Sequence, residues 1–528
     1  MANKSFWMKK LSLILAALLM AIAAQAQSDL IARIHFLGGD KISADTNSAA
    51  FANEFNSPQA QALENQTLDK LAKIFVAKLK PNAGAEDLAQ LRPLLDDLLK
   101  SEWILEIRGA TNGVPEYTLA VRLSSERANL WSKNLHAPLE NWVSMEVPQS
   151  ATGVMWIKKF DPSYWCLFGR SSGYTIVDFG QGNLHEGILR FAESKFTDTG
   201  TNWLSADLNW PRLAQLFPAL REFDFPKIAF QVIGHNGYFR FNGKLNLSQP
   251  LPSLEAWRVP TNSIHQPFIS FTAARGVAPW LAKQSWFAPY KLSPQPNQFF
   301  TWSMPGIAFQ TYAAEPVPNA NAALTQLYEN LSANGNWRSN FSTPLKLSLT
   351  NNQLNISGIP FAAPNIRVAH EANGDFLVGG FFPNTPRGKP LPPELFEQLA
   401  TPNLVYYHWE ITEERLRVMP QLSQLMLMAT KHEQLNGQSL ASKWLMQIAP
   451  KLTNSVTIAT EISPTEISFT RKSAAGLDAV ELRGLASWLE SPKFPAFDLR
   501  SPPRVMRPRS PQQFPLMSAL KPAPAPAK

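Results

Sequence analysis

The stretch "KIAFQVIGHNGYFRFNGKLNL", residues 227–247, has the pattern of two short strands joined by a tight turn. Large apolar residues recur at every second position on both sides of Asn236-Gly237: Ile228, Phe230, Val232, Phe239 and Phe241. Asn-Gly tolerates the positive φ angles of a two-residue turn, and a period of two turns one face of each strand towards a core. The stretch therefore predicts an antiparallel hairpin with one buried face.

Further hairpins are predicted by the same pattern of alternating apolar residues around turn-forming residues. They are residues 103–123 around Asn112-Gly113, 345–356 around Asn351-Asn352, 366–378 around Asn373-Gly374, and 456–469 around Pro464. The chain is consequently expected to contain antiparallel sheet over most of its length.

Two amphipathic helices are predicted near the N-terminus, over residues 57–81 and 85–100. Ser57-Pro58 supplies an N-cap and a first-turn proline for the first helix, and leucines recur along one face of the second. Asp96 and Asp97 in the second helix point about 100° apart, so we expect them on a solvated face rather than converging as an acid/base pair.

Four stretches have the pattern of a strand followed directly by an amphipathic helix. They are "YTLAVRLSSERANLW" from Tyr117, "WLSADLNWPRLAQLF" from Trp203, "FISFTAARGVAPWLA" from Phe268 and "LVYYHWEITEERLRVM" from Leu404. This weak repetition predicts an α+β fold of tandem modules, each an antiparallel sheet with helices packed on one face, after a helical N-terminal segment. The alternative is that ordinary strand–helix succession recurs by coincidence.

The expected division of the chain follows these patterns. Residues 1–26 form a signal peptide, 27–195 the helical segment with a first α+β module, 196–260 a second α+β module, 261–395 a mostly β module, 396–490 a further α+β module, and 491–528 a disordered basic, proline-rich tail.

The N-terminal residues predict export. A basic stretch precedes an apolar run over residues 11–24, and Ala24-Gln25-Ala26 has small residues at both recognition positions of a cleavage site. That run is shorter than the roughly 20 residues that span a bilayer. We expect a soluble periplasmic or secreted protein, with no transmembrane segment after signal removal. Its single cysteine, Cys166, cannot form an internal disulfide and is expected to be a buried thiol.

The distribution of charge argues against nucleic-acid binding. Of the formal net charge of +8, residues 491–528 carry +6 and the signal +3, which leaves −1 for residues 27–490. A nearly neutral body has no basic field to attract phosphate backbones. The tail contains ten prolines in 38 residues. We expect it to be a solvated, extended segment, with contact to anionic surfaces as the alternative.

Gly169-Arg170-Ser171-Ser172-Gly173 matches the G-x-S-x-G pattern of a hydrolase nucleophile elbow. An elbow requires a helix immediately after the serine, whereas Tyr174-Thr175-Ile176-Val177 is an aromatic and β-branched run that favours a strand. The sequence therefore predicts that Ser171 lies in a hairpin loop spanning residues 169–173 and is not a nucleophile.

Other chemical motifs are incomplete. Gly180-Gln181-Gly182 precedes a helical pattern, but His185 occupies the position of the third glycine of a dinucleotide fingerprint. No two of the eight histidines lie within five residues of each other, at positions 35, 136, 185, 235, 265, 370, 408 and 432. Local metal-binding pairs are therefore absent, and we expect no cofactor and no metal.

The aromatic content is high, with 16 tryptophans. Ten of them crowd the middle of the chain: Trp131, Trp142, Trp156, Trp165, Trp203, Trp210, Trp257, Trp280, Trp286 and Trp302. Because no disulfide stabilises the fold, we expect most of these rings in the core; exposed rings would suit stacking on sugars or packing on acyl chains.

The stretches "QTLDKLAKIF", "LRPLLDDLLKSEW" and "FTAARGVAPWL" resemble those of large uncharacterised secreted bacterial proteins. The resemblance implies export and an α+β body, and it transfers no functional residue. Because no catalytic motif is complete, the sequence favours a non-catalytic binding or scaffold protein whose partner is an envelope glycan, lipid or protein. The alternatives are a hydrolase with dispersed catalytic residues and a lipid carrier with a continuous apolar cavity.

Overall fold

The computed structural model describes most of the chain between its terminal segments. The described residues are 30–49, 54, 56–79, 85–109, 115–139, 156–161, 164–181, 202–217, 220–221, 224–284, 287, 290–306, 310–333, 344–359, 362–382, 388–418, 437–492 and 494–495. The predicted signal peptide and nearly all of the predicted tail lie outside them.

The described residues form 19 strands. The strands up to residue 246 are β1 Leu30–Phe36, β2 Trp103–Arg108, β3 Glu116–Arg122, β4 Trp156–Asp161, β5 Tyr164–Ser171, β6 Tyr174–Gln181, β7 Leu204–Asn209, β8 Lys227–His235 and β9 Tyr238–Asn246. The later strands are β10 Ser270–Arg275, β11 Gln298–Ser303, β12 Thr311–Val317, β13 Lys346–Thr350, β14 Gln353–Ser357, β15 Asn365–Glu371, β16 Gly374–Gly380, β17 Leu404–Ile411, β18 Asn454–Ser463 and β19 Glu466–Ser473.

The described helices lie between these strands, except for the last one, which follows β19. They are α1 Gly39–Ala44, α2 Pro58–Leu79, α3 Ala85–Lys100, α4 Ser125–Leu139, α5 Trp210–Leu216, α6 Ala278–Leu281, α7 Ala320–Ala333, α8 Pro393–Leu399, α9 over residues 412–418, α10 Leu440–Ile448 and α11 Ala479–Glu490. Among the described helices, none is both long and apolar enough to cross a membrane.

All 19 described strands belong to one sheet, and every pairing between them is antiparallel. The order across the sheet is β4-β5-β6-β3-β2-β1-β7-β8-β9, then β19-β18-β17-β10-β11-β12-β16-β15-β14-β13. The predicted antiparallel α+β fold is confirmed at this level. The strands of the predicted modules join one continuous sheet, and the division into tandem modules stays a prediction.

The sheet consists of two halves that share a strand order. We call the strands between residues 30 and 246 the first half and those between 270 and 473 the second half. From the outer edge inwards, β4-β5-β6-β3-β2-β1-β7-β8-β9 matches β14-β15-β16-β12-β11-β10-β17-β18-β19, with β13 added outside β14. The matching strands β9 and β19 pair with each other antiparallel, so the halves meet as the two subunits of a two-fold dimer do.

The two faces of the sheet are covered differently. On one face, which we call the helix face, α3 and α4 pack on the first half, and α7, α10 and α11 pack on the second. The opposite face of the second half, which we call the groove face, is covered by α8 and by residues 257–268. The prediction that helices pack on one face is therefore correct for most helices and wrong for α8.

Helix α2 forms a second connection between the halves. It lies between β1 and β2 in the chain, yet Ala60 and Leu63 pack in one cluster with Trp444 of α10 and Leu482 of α11. Lys70 donates a hydrogen bond of 2.7 Å to the carbonyl of Leu489. The α2–α3 pair is thus inserted between two strands of the first half, and α2 also packs against helices of the second half.

The local predictions are largely confirmed. The hairpins predicted from alternation form β2–β3, β8–β9, β13–β14, β15–β16 and β18–β19. Both predicted N-terminal helices are present, but strand β1 precedes them and pairs in the middle of the first half.

The expected solvated position of Asp97 is wrong. Its carboxylate is buried, because Arg127 of α4 forms a salt bridge of 2.8 Å with it and the indole N–H of Trp131 donates to it at 2.8 Å. The cation and the indole repay the loss of hydration that burial of a carboxylate costs.

The pairing of β9 with β19 predicts a strong effect of one small substitution. A Cβ at Gly243 would lie 2.4 Å from the ring of Phe469 and 2.7 Å from the carbonyl oxygen of Ala229. Gly243→Ala should therefore lower the free energy of unfolding by about 1–3 kcal/mol, because the ring and the backbone must move. Gly484→Ala is the matched control, since no atom outside its helix lies within 4 Å of that Cβ. Urea unfolding followed by circular dichroism measures the free energy of unfolding of both variants. Equal values for Gly243→Ala and the wild type would contradict the packing of Phe469 against Gly243.

Candidate functional site

Ser171 lies at the end of β5, in a hairpin with β6. Ser172 and Gly173 form the turn with φ angles of 52° and 83°, as a two-residue type I′ turn requires. No helix follows Ser171, because β6 starts at Tyr174. The predicted hairpin is confirmed and the nucleophile elbow is excluded; the loop is two residues long and not the whole of residues 169–173.

The other motif residues do not come together. Gln181 ends β6, while Gly182 and His185 lie outside the described residues. Six of the eight histidines are described, and no group of three or more His, Cys, Asp or Glu residues suited to a metal ion occurs within the described part of the chain. Cys166 is buried, as the sequence predicts.

Several tryptophans of the middle region are core residues, and at least one is exposed. Trp131, Trp203 and Trp302 are buried, while Trp280 is 40% exposed. Trp142 and Trp286 lie outside the described residues. The core expectation thus holds for the three buried rings.

A buried carboxylate organises one end of the first half. Glu102, just before β2, accepts hydrogen bonds from Lys41 Nζ at 2.7 Å, Arg122 Nε at 2.8 Å and the hydroxyl of Tyr174 at 2.9 Å, and His35 Nε2 lies 3.1 Å from it. Burial alone would raise the pKa of Glu102, but these four partners together hold that pKa well below its usual range. All four side chains contact the Glu102 carboxylate, so the cluster connects β1, β2, β3 and β6.

A second buried carboxylate lies on the helix face of the second half. Glu410 of β17 is fully buried and accepts hydrogen bonds of 2.8 Å from Thr412 Oγ1 and from the backbone N–H of Ala479, at the start of α11. Arg415 Nε lies 3.7 Å from its other oxygen. Burial alone would raise the pKa of Glu410, but the nearby His408, the Arg415 charge and the two donors outweigh burial and lower it.

This cluster brings a hydroxyl, an imidazole and a carboxylate together. Thr272 Oγ1 lies 2.8 Å from His408 Nδ1, and His408 Nε2 lies 3.6 Å from Glu410 Oε2. A nucleophilic site also needs space for a substrate beside the hydroxyl. These residues line none of the cavities described below. The hydrogen bond from Ala479 to Glu410 ties β17 to the N-terminus of α11.

An open groove with a volume of about 500 Å³ lies on the groove face of the second half. Its apolar lining comes from Phe268, Leu395, Tyr407, Trp409 and Val456. Its polar lining comes from Gln266, Glu394 and Gln398. We call it the aromatic groove; its volume lies within the range of small-molecule sites, about 300–1,000 Å³.

Strand pairing places the rings of the aromatic groove. Tyr407 and Trp409 are two residues apart on β17 and so point to the same face. Trp409 pairs with Val456 on one side and with Phe271 on the other, which fixes its position between β18 and β10. Phe268 precedes β10, and its ring meets that of Trp409 edge to face, with centroids 5.8 Å apart and planes at 86°.

Helix α8 forms the other wall. Leu395 and Leu399 are buried in the core beneath it, and this orientation leaves Glu394 and Gln398, one turn apart, exposed at the groove. Glu394 is the only charged residue in the described lining. The groove thus combines an aromatic floor with a polar edge that carries negative charge.

A smaller cavity of about 290 Å³ lies where the halves meet, between the β8–β9 turn and α10. It is lined by Tyr238 on one side and by Trp444, Ile448 and Leu452 on the other. An ion pair between Glu54 and Lys451 lies in its lining. This cavity lies between packed elements where the two halves meet, and we regard it as a feature of that packing. We place the candidate site at the aromatic groove.

The residues of this groove were not predicted from the sequence. Tyr407 and Trp409 lie within a stretch predicted as strand and helix, and Trp409 is not among the clustered tryptophans. Two aromatic residues at alternate positions of one strand are the signal that could have identified it. Comparison with known proteins adds no further residue: no family model matches the chain, and neither the curated proteins nor the solved structures give a match.

The Glu410 cluster predicts a specific change in acid stability. Because the pKa of Glu410 is lowered in the folded state, its contribution is present above the ordinary value of 4.5 and is lost as the pH falls below it. Glu410→Gln should lower the free energy of unfolding at pH 7 by about 3 kcal/mol and reduce its decline between pH 5 and pH 3. Glu397→Gln, at an exposed position of α8, is the control. Urea unfolding at a series of pH values tests this, and an unchanged acid slope in Glu410→Gln would contradict it.

Proposed function

We propose that the protein is an exported, non-catalytic binding protein that holds an apolar or amphiphilic envelope component in the aromatic groove. The observation that carries the proposal is the groove itself: an open, ring-lined depression with polar residues at its edge. Ligand sites are mostly apolar with a few polar groups that fix orientation, and the lining has this composition.

The surrounding packing supports binding at this place. Tyr407 and Leu395 are buried beneath the groove, and Phe268, Trp409 and Val456 pack against the same hydrophobic cluster. Rings held by a core lose little side-chain entropy when a ligand binds, because that entropy is already lost on folding. The groove is therefore preorganised for an apolar ligand.

Export and the roles of the chain ends belong to the same proposal. The signal pattern of residues 1–26 supports a periplasmic or secreted location, and the charge of residues 491–528 supports contact with anionic surfaces. The shared strand order of the halves supports a duplicated unit, in which the strand–helix stretches from Trp203 and Leu404 are counterparts. The hydrolase and lipid-carrier alternatives stay predictions.

The groove can be tested with N-phenyl-1-naphthylamine, a neutral apolar probe that fluoresces on leaving water. We expect saturable binding that Trp409→Leu weakens about tenfold, since the rings supply most of the apolar contact. Trp280→Leu removes an exposed tryptophan outside the groove and should leave binding unchanged. Circular dichroism of each variant confirms folding. Equal probe affinity in the wild type and Trp409→Leu would rule out the groove as the binding site.

A further inference from the structure

We infer that the aromatic groove binds an organic cation, such as a quaternary ammonium group. This inference rests on the proposed function and names the class of ligand. Two observations carry it: the geometry of the rings and the charge of the lining.

The rings form a corner. The planes of Trp409 and Phe268 stand at 86° with their centroids 5.8 Å apart, and Tyr407 lies beside Trp409 on the same face of β17. The face of an aromatic ring is negative, and tryptophan attracts cations most strongly. A methylated ammonium group in this corner would contact two ring faces at once, while its methyl groups would bury apolar surface.

The charge of the lining matches a cation. Glu394 is exposed at the groove edge, and no lysine or arginine lines the groove within the described residues. The next strand beyond Val456 carries Lys472, but its ammonium lies over the ring of Tyr238, 4.1 Å from the ring centroid. An anionic ligand would meet the Glu394 carboxylate and the negative ring faces, both of which repel it.

The first half supplies an internal comparison. The register of β7 with β1 and β8 matches that of β17 with β10 and β18, so Ser205, Asp207 and Ala229 occupy the positions of Tyr407, Trp409 and Val456. None of these three has an aromatic ring. The aromatic corner is therefore a property of the second half and is not required by the strand arrangement.

The decisive experiment compares choline with its neutral isostere 3,3-dimethyl-1-butanol by isothermal titration calorimetry on the full chain. The two have nearly the same shape, so a difference reports the charge. We expect choline to bind about fivefold or more tightly than the isostere. Trp409→Leu and Phe268→Leu should each abolish this preference, and Glu394→Gln should reduce it. Trp280→Leu and Glu397→Gln are the matched controls and should retain it.

The outcomes separate this inference from the proposed function. Equal binding of the two compounds, or no choline binding while the naphthylamine probe still binds through Trp409, overturns the cation inference alone. If binding of the naphthylamine probe does not depend on Trp409, both the cation inference and the proposed function are overturned. Flotation with phosphatidylcholine vesicles then distinguishes the source of the cation: retention that Trp409→Leu abolishes assigns a lipid headgroup, and choline binding without vesicle retention assigns a free organic cation.

Discussion

The pairing of β9 with β19 is the interaction on which the rest of the fold depends. It joins strands whose residues are more than 200 positions apart, from Phe239 opposite Ser473 to Asn246 opposite Glu466. Lys244 and Glu466 form a salt bridge of 2.7 Å across it, and Phe469 lies over the hydrogen of Gly243. Without this pairing each half would expose a long unpaired strand, which is a template for aggregation. Pairing β9 with β19 removes both unpaired edges and leaves β4 and β13 as the outer strands of the sheet.

The shared strand order does not make the halves equivalent. In the first half, β1 and β2 are separated by the α2–α3 pair, and α2 crosses to the helices of the second half. In the second half, α8 turns to the groove face and walls the aromatic groove. One half of the sheet thus carries the α2–α3 pair and the other half the candidate binding site. Because sites are set by side chains and not by strand order, two halves with the same strand order can differ in this way.

The sequence predicted those parts of the fold that depend on neighbouring residues. The turn at Asn236-Gly237 follows from the positive φ angles that those residues tolerate, and the adjacent alternation gives the hairpins. At Ser171 the sequence predicted the hairpin but a loop of five residues, where the turn has two. The order of the hairpins could not be predicted, since the fit of Phe469 onto Gly243 joins distant segments. The groove was missed for the same reason. Phe268, Leu395 and Trp409 come from three separate segments, and only the pairing of β10 with β17 and the packing of α8 bring them together.

Strand β17 connects the buried carboxylate cluster with the candidate site. His408 and Glu410 face α11 on the helix face, while Tyr407 and Trp409, at the alternate positions, face the groove. A shift of one residue in register would exchange these faces, burying two rings against polar partners and exposing the charged cluster to the groove. The hydrogen bond from the N–H of Ala479 to Glu410 opposes such a shift, because a buried carboxylate without donors is costly. The polar cluster therefore holds the two rings at the groove, and a rigid strand is what a candidate site built from ring geometry requires.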